Sequence, residues 1–562
     1  MHNRMKFFKH IILSVFVLGA FAAPANAQTD VKALTGALAE TIREYANYAD
    51  TLAYRIAFAN RKNPTVLLGI AEAYNMNQDF DKTKKYAMQA LEIQPDFAPS
   101  YVLLGRHCQY KFEHWGDSAY RDTAIIYFKK AMEVNPLYPD SYDYYASMKA
   151  SEDPEGVLRQ FLQLRDQRPD LNIGGTIAAL QVAVARKAPD DTLGIKMGLL
   201  KKGITTYEEQ GNENLSLDEL YKYCNALDLA VDWSKEADVK NFYREKIVSV
   251  ANFAHEKEVT DPRFLSVLLA ANYGLQRYQD AIKNANELFQ SADTAKLHYR
   301  YMPYDYRYQA LSMFSLESID SLSTGNVGLD AAVDIMEKGL EVGLDLSQDM
   351  GVTMQQRVLA TAQYNGMSGD IKKIVNALMA KGQYDQALHI RQYQMSKKNA
   401  NDLTINDWID QINVLQNKYN GATDATEKSL AQRELLNMYE KVERDFSTDP
   451  QVCSIYYSHA YMLTQTEENP KTGNALAIYT KLFNLEASNL SRDSNDEQYI
   501  AVAANYLGIH YFFNSDYDKA MKYALHMMDY DLTYGSGDQI FSACAKGKPK
   551  TAARMRAEHR PL

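Results

Sequence analysis

The sequence predicts an all-α fold, a solenoid of antiparallel helix pairs stacked one on the next. Helix-forming Ala, Leu, Lys, Glu and Gln recur with Tyr in blocks of roughly ten to twenty residues, while only 15 prolines and 27 glycines are spread over 562 positions. A chain of that length exceeds one ordinary core, yet its 46% hydrophobic share is that of a folded protein. Units that resemble one another and close on proline resolve the conflict, because an array buries its apolar residues between neighbours.

The first 27 residues stand apart from the array. Arg4, Lys6 and Lys9 precede an apolar run from Ile11 to Ala23, and Ala25-Asn26-Ala27 has the small-x-small form of a signal-peptidase site. The run holds about 13 residues, short of the roughly 20 that a spanning helix needs. We expect 1–27 to be a cleaved signal peptide, the mature chain to begin at Gln28, and the protein to be exported to the periplasm or cell surface. No cysteine follows the run closely, which argues against a lipid anchor. Residues 28–63 then read as an N-terminal capping helix region.

Three consecutive units occupy 64–170. In the first, Leu67, Ile70, Ala71 and Tyr74 fall at the spacing W-x2-L-G-x2-Y, followed by Phe80, Thr83, Ala87, Ala90 and the closing Pro95. Tyr101, Leu104, Gly105 and Cys108 repeat it, with Ala124, Phe128, Ala131 and Pro136 after a short insertion. The third has Tyr142, Tyr145 and Ala146, then Val157, Phe161, Leu164 and Pro169. Apolar residues at i, i+3, i+4 and i+7 make one face of a helix, and the second stripe makes its antiparallel partner. Small residues at Ala71, Gly105 and Ala146 sit where paired helices come closest. Proline cannot continue a helix but suits the first turn of the next.

These units resemble the tetratricopeptide repeat family. The resemblance implies a right-handed superhelix, in one stretch or in two segments, and an exported bacterial repeat protein. Beyond Asp170 the pattern decays: 171–260 reads as diverged helical repeats and 261–400 as diverged copies around Leu268, Tyr273, Ala281 and Tyr384. Residues 401–541 read as C-terminal repeats, ending in a nearly complete copy with Leu507, Gly508, Tyr511, Tyr517, Ala520 and Ala524. The 40 tyrosines fit a repeat that uses aromatic residues at fixed packing positions. From 542 to 562, six Lys and Arg stand against the single acid Glu558, which reads as a flexible basic tail.

Chemistry is mostly excluded. A net charge of -10 gives no general attraction for nucleic acid, whose binding needs clustered cations. His255-Glu256-Lys257-Glu258 lacks the second histidine that would complete a zinc face. Gly535-Ser536-Gly537 lacks the strand of a nucleophile elbow and reads as the stop of a preceding helix. The acids Asp493, Asp496 and Glu497 read as a surface loop without the pattern of a calcium hand. The four cysteines are too widely spaced for a zinc site or a disulfide scaffold, and no two histidines of the mature chain are spaced for shared ligation. We expect no catalytic residues, no metal and no cofactor.

What the resemblance implies for function is the position of a groove, lined by the first helix of each pair at positions not used for packing. In the first copy these are Leu68, Glu72 and Asn75, in the second Val102, Arg106 and Gln109, and in the last Asn505, Ile509 and Phe512. Leu68 and Glu72 stand where a carboxylate clamp would place its cations and amides, so a chaperone-tail clamp is rejected. Glu72, Asn75, Arg106, Gln109, Asn505 and Phe512 are the candidate groove residues, and a protein or peptide is the expected partner. A helical glycan-binding nutrient-capture protein is the alternative, although such proteins usually carry a lipidated cysteine. A hydrolase would need a mixed α/β domain for which no strand-rich block is long enough.

If 1–27 is a signal peptide, mass spectrometry of the protein from its native host finds Gln28 at the N-terminus. A mature chain still carrying Met1 or Met5 would remove the argument for export.

Overall fold

Helix boundaries in this chain are set by short polar side chains and by proline. In the computed structural model, which describes residues 31–189, 192–258, 261–290, 301–320, 327–349, 352–489 and 491–562, every regular element is a helix. The expected signal peptide, the polar break Ser291–Thr294 and most of that at Ser321–Gly328 lie outside these residues. Two compact units divide at Asp370 and Ile371. That division falls inside the block 261–400.

The N-terminal unit opens with α1 (Val31–Glu44) and α2 (Ala46–Ala59), which pack on the first repeat. α3 (Pro64–Met76) starts where the Asn63 side chain accepts from the amides of Thr65 and Val66, with Pro64 in the first turn. α4 (Phe80–Ile93) is capped by Asp79. α5 (Ala98–Trp115) and α6 (Ser118–Val134) form the second pair, and α7 (Pro139–Ala150) and α8 (Pro154–Gln167) the third, with Asp117 and Asp153 as caps of α6 and α8. The insertion in the second copy lengthens both of its helices.

The diverged block continues the pairing. α9 (Gly174–Lys187) packs on α10 (Leu193–Gln210), α11 (Leu217–Trp233) on α12 (Ala237–Lys257), α13 (Pro262–Gly274) on α14 (Tyr278–Gln290), and α15 (Pro303–Asp320) on α16 (Val327–Gln348). Ser216 and Glu219 close a reciprocal capping box at the start of α11. α17 (Met354–Met367) packs on α16 and also returns to lie against α5. Tyrosines carry much of the packing both within and between pairs. Tyr74 stacks on Tyr86 with centroids 5.7 Å apart, and Tyr207 on Tyr223 at 4.9 Å.

Described by itself, the C-terminal unit runs through α18 (Asp370–Ala380), α19 (Tyr384–Ser396), α20 (Ile405–Gly421), α21 (Ala425–Asp445), α22 (Val452–Thr464), α23 (Leu476–Ser488), α24 (Ser494–Phe513) and α25 (Tyr517–Met527). One continuous core joins Leu435, Tyr439, Tyr479, Leu507, Ala524 and Phe541. Three expectations do not hold in this unit. Asp493 and Asp496 are not a bare surface loop but a capping box that begins α24. Gly535-Ser536-Gly537 does not stop a helix; it lies in the first turn of α26 (Tyr534–Gly547), where Gly537 comes up against Ala524 and Met527. The basic segment is no flexible tail: it forms the end of α26 and then α27 (Pro549–Glu558), with Cys544 and Ala552 buried and Lys548 paired to Asp518 at 2.9 Å. Its cations point outward from helices whose apolar side is packed, a pattern that composition alone cannot distinguish from disorder.

Cys108, Cys224, Cys453 and Cys544 are all buried and unpaired, as packing residues are. No described helix is long and apolar enough to cross a membrane.

The contact that sets the spacing of a pair is clearest between α5 and α6. A β-carbon added at Gly105 would run into the ring of Phe128, which is itself fully buried. Gly105→Leu should therefore destabilise the protein by about 1 to 3 kcal/mol, the usual cost of overpacking a tight core. Urea unfolding of variant and wild type measures the difference.

Candidate functional site

Once the packing stripes of a helix pair are used up, the first helix has one face left. In the N-terminal unit α3, α5, α7, α11 and α13 turn that face toward a common cavity of about 540 Å³. α3 supplies Glu72, Asn75 and Met76; α5 supplies Arg106, Gln109, Tyr110 and Glu113. Asp143, Tyr144 and Ser147 come from α7, Asp218, Tyr221 and Lys222 from α11, and Arg263 from α13. Phe80, at the start of α4, closes one side. A second hollow of about 360 Å³ shares Asp143, Ser147 and Lys222 and continues along α9, so the polar inner surface is extended.

Two sets of charges line this surface. The first set is paired. Lys222 Nζ lies 2.5 Å from Asp143 Oδ2, and Arg263 donates to Asp218 Oδ1 at 2.7 Å and to Asp261 Oδ2 at 2.8 Å. Tyr144 donates its hydroxyl to Asp218 Oδ2 at 3.3 Å, and the Arg263 guanidinium lies over the Tyr221 ring. Burial pushes the Asp218 carboxyl up, but Arg263, with Arg106 and Lys222 nearby, outweighs it and holds the group below its ordinary value. These pairs tie α7, α11 and α13 together across the floor of the cavity.

The second set is unpaired. Arg106 has no ion pair among the described residues and sits with its guanidinium carbon 5.4 Å from the Tyr144 ring centroid. Water reaches it, yet protein surrounds it: Tyr144 first, against the opposing effect of burial, and then Asp218, Glu72 and Asp140 hold it in its charged form. Burial pushes the Glu72 carboxyl up, partly offset by Arg106, and pushes Glu113 up, partly offset by a 2.9 Å hydrogen bond from Gln109. The Gln109 Oε1 is buried without a partner, and the Asn75 side chain makes no hydrogen bond among the described residues. Unused donors and acceptors therefore face the same space.

Four of the six candidate groove residues, Glu72, Asn75, Arg106 and Gln109, thus converge on one cavity. Leu68 and Val102 do not join them. Both are buried in apolar clusters, because the neighbouring helices pack more tightly on α3 and α5 than the repeat spacing implies. Asn505 and Phe512 belong to the other unit. There Asn505 is half-buried on α24, and Phe512 packs on Phe513 and Tyr517 with centroids 5.8 and 6.3 Å away. Asp143, Tyr144, Asp218, Tyr221, Lys222 and Arg263 were not foreseen. The first two adjoin the recognisable packing residues Tyr142 and Tyr145, which places them one step around the same helix. The others lie on helices whose repeat signature has decayed.

No family model and no curated protein matches the chain. Among solved structures, it is similar to the C-terminal part of a TPR repeat-containing protein from Cytophaga hutchinsonii, at 16% identity and a TM-score of 0.26, over 56% of this chain and 98% of that one. It is also similar to Naa15/Naa10 bound to HypK-THB, at 15% identity and a TM-score of 0.20, over 91% of this chain and 70% of that one.

Behind the cavity wall His107 packs edge-on against Phe80, with centroids 4.8 Å apart. Burial, and then Lys111 and Lys84, lower its pKa from the ordinary 6.5 to about 4. Between those values the unfolded chain binds a proton that the folded protein refuses, so this residue's contribution to stability is lost as pH falls from 6.5 toward 4. In His107→Met the drop in unfolding free energy between pH 7 and pH 4.5 should shrink by about 2 to 3 kcal/mol. Denaturant titrations at the two pH values measure it.

Proposed function

We propose that this chain is a non-catalytic scaffold of the cell envelope, exported by residues 1–27, that holds a protein or peptide partner along the inner face of its repeats. One observation carries the reading: Glu72, Asn75, Arg106 and Gln109 present unpaired polar groups to one extended surface, while other charges of that surface are tied to each other. Paired charges fix the shape of a site and leave its walls rigid. Groups left over can bind an extended main chain, whose amides and carbonyls alternate along its length and match amides and a guanidinium better than they match a hydrophobic slot. Carboxylates at Glu72 and Glu113 would accept from main-chain amides or from a basic side chain.

A glycan is the second reading, and the aromatic lining favours it. Tyr110, Tyr144 and Tyr221 stand beside carboxylates and amides in the same cavity, a combination that can stack on a sugar ring and hydrogen-bond its hydroxyls. A peptide needs continuous edges, whereas a glycan needs an open ring face.

Partners captured from envelope extract by the purified mature chain, followed by calorimetry, separate the two. For a peptide partner, Arg106→Ala combined with Asn75→Ala should weaken binding by roughly 1 to 3 kcal/mol, the usual cost of lost or orphaned polar contacts. The melting temperature should change little, since neither side chain lies in the apolar stripes that pair the helices and Arg106 gives up only its contact with the Tyr144 ring. A double variant that binds its partner with full affinity would place the site elsewhere. Binding on a glycan array, abolished by Tyr221→Ala, would instead select the second reading.

A further inference from the structure

Outside the cavity, the C-terminal unit brings together three side chains that the sequence keeps far apart. His526 lies in the last turn of α25, Asp529 in the turn that follows, and His559 caps the end of α27. The His559 Nε2 is 2.9 Å from Asp529 Oδ1 and 3.1 Å from Oδ2, and the His526 Nδ1 is 3.5 Å from Asp529 Oδ2. One ligand atom from each residue falls within 4.8 Å of the other two. The His526 Nδ1 is buried and has no hydrogen-bond partner among the described residues. It points its free nitrogen at a carboxylate that already serves another imidazole.

We propose that His526, Asp529 and His559 bind one divalent transition-metal ion of the zinc type. Two imidazole nitrogens and one carboxylate oxygen form a donor set that suits a borderline cation, and magnesium or calcium would require mainly oxygen. Ligand atoms about 2.0 to 2.1 Å from a tetrahedral ion lie roughly 3.3 Å from one another. Measured to the shared Asp529 Oδ2, the two His–Asp separations of 3.1 and 3.5 Å bracket that value, and the two histidine nitrogens lie within 4.8 Å of each other, so side-chain rotation brings all three donors onto one ion. The three side chains are 11 to 15% exposed, which leaves a path for the ion and for a water as fourth ligand.

Each donor is supported. Asp529 sits three residues after His526, on the same side of a helical turn. That turn is fixed by the Thr533 hydroxyl donating to the Met527 carbonyl at 2.8 Å and by the Asp529 amide donating to the His526 carbonyl at 3.2 Å. The Phe483 ring backs His526 at 5.3 Å. α27, which carries His559, is held at its other end by the Lys548 pair with Asp518. A bound ion would add a second tie, fastening the end of α27 to the end of α25. Binding energy gained only in the folded state would then appear as stability.

The test uses the full mature chain, without a histidine tag and stripped with chelator, titrated with zinc chloride in calorimetry and in thermal unfolding. The expected result is one zinc per chain and a raised melting temperature, with no effect of magnesium or calcium at equal concentration. His526→Ala and His559→Ala should each abolish both the stoichiometric binding and the zinc-dependent shift, while His114→Ala in the other unit keeps them. His559 follows the last helix, so its removal leaves the fold in place even if His526→Ala does not fold. No zinc binding by the wild type, or one-to-one binding that survives His559→Ala, would overturn the site and leave the cluster as a hydrogen-bonded joint.

Discussion

Two helices approach closely only where one of them gives up a side chain, and α5 does so at Gly105 beneath the ring of Phe128. That contact fixes the distance and rotation of the pair, and the rotation decides everything on the opposite face. With Leu104 and Cys108 turned into the packing and Gly105 turned to α6, Arg106 and Gln109 have no direction left but inward. Gly69, whose β-carbon position is 2.7 Å from Val31, and Gly508, 3.0 Å from the Met527 sulfur, mark comparable close approaches elsewhere in the array. The site is therefore a by-product of packing: sequence constrains the small and the aromatic positions, and the positions between them are free to carry chemistry.

Freedom to carry charge has a physical limit. A carboxylate moved into a concave surface loses hydration, and the raised pKa values of Glu72 and Glu113 are the sign of that loss. The floor of the cavity meets the limit by pairing, with Arg263 between Asp218 and Asp261 and Lys222 on Asp143. Breaking such a pair leaves an uncompensated charge, so these contacts hold α7, α11 and α13 in register more firmly than their modest net contribution to stability suggests. Glu72, Asn75, Arg106 and Gln109 take the other course and remain without an ion pair among the described residues. Rigid walls with unpaired groups are the arrangement in which a ligand gains hydrogen bonds without first having to break bonds within the protein.

The sequence was legible where a short-range rule applied. Helix pairs over 64–170 and the inward position of Arg106 follow from spacings within one repeat. Leu68 and Val102 failed because groove positions at the edge of the packing stripe are decided by how far the neighbouring helix reaches over them, which no local spacing encodes. The basic end failed for the opposite reason. Its composition is that of a solvated segment, but Cys544 and Ala552 fall on one side of α26 and α27 and are enough to dock them. Arg263 and Asp218 were invisible because their helices keep the apolar period but only part of the repeat's markers, Leu268 and Tyr273 in the case of α13, too few to fix which positions face inward.

The histidine cluster shows where that kind of reading stops. His526 and Asp529 are three apart and could have been paired from the sequence, but a helical His–Asp pair alone is common and points to nothing. His559 supplies the third donor only because α27 folds back along α25, and that fold-back rests on a few apolar contacts and the Lys548–Asp518 pair. In a solenoid each helix touches little beyond its neighbours, so long-range constellations form mainly where the chain departs from simple stacking. α17 against α5 is such a departure, whereas α27 against α25 is the ordinary contact of a helix with the next but one, made at the end of the array. There the third donor arrives from a helix about thirty residues further along the chain, a distance that regular stacking spans and local spacing does not show.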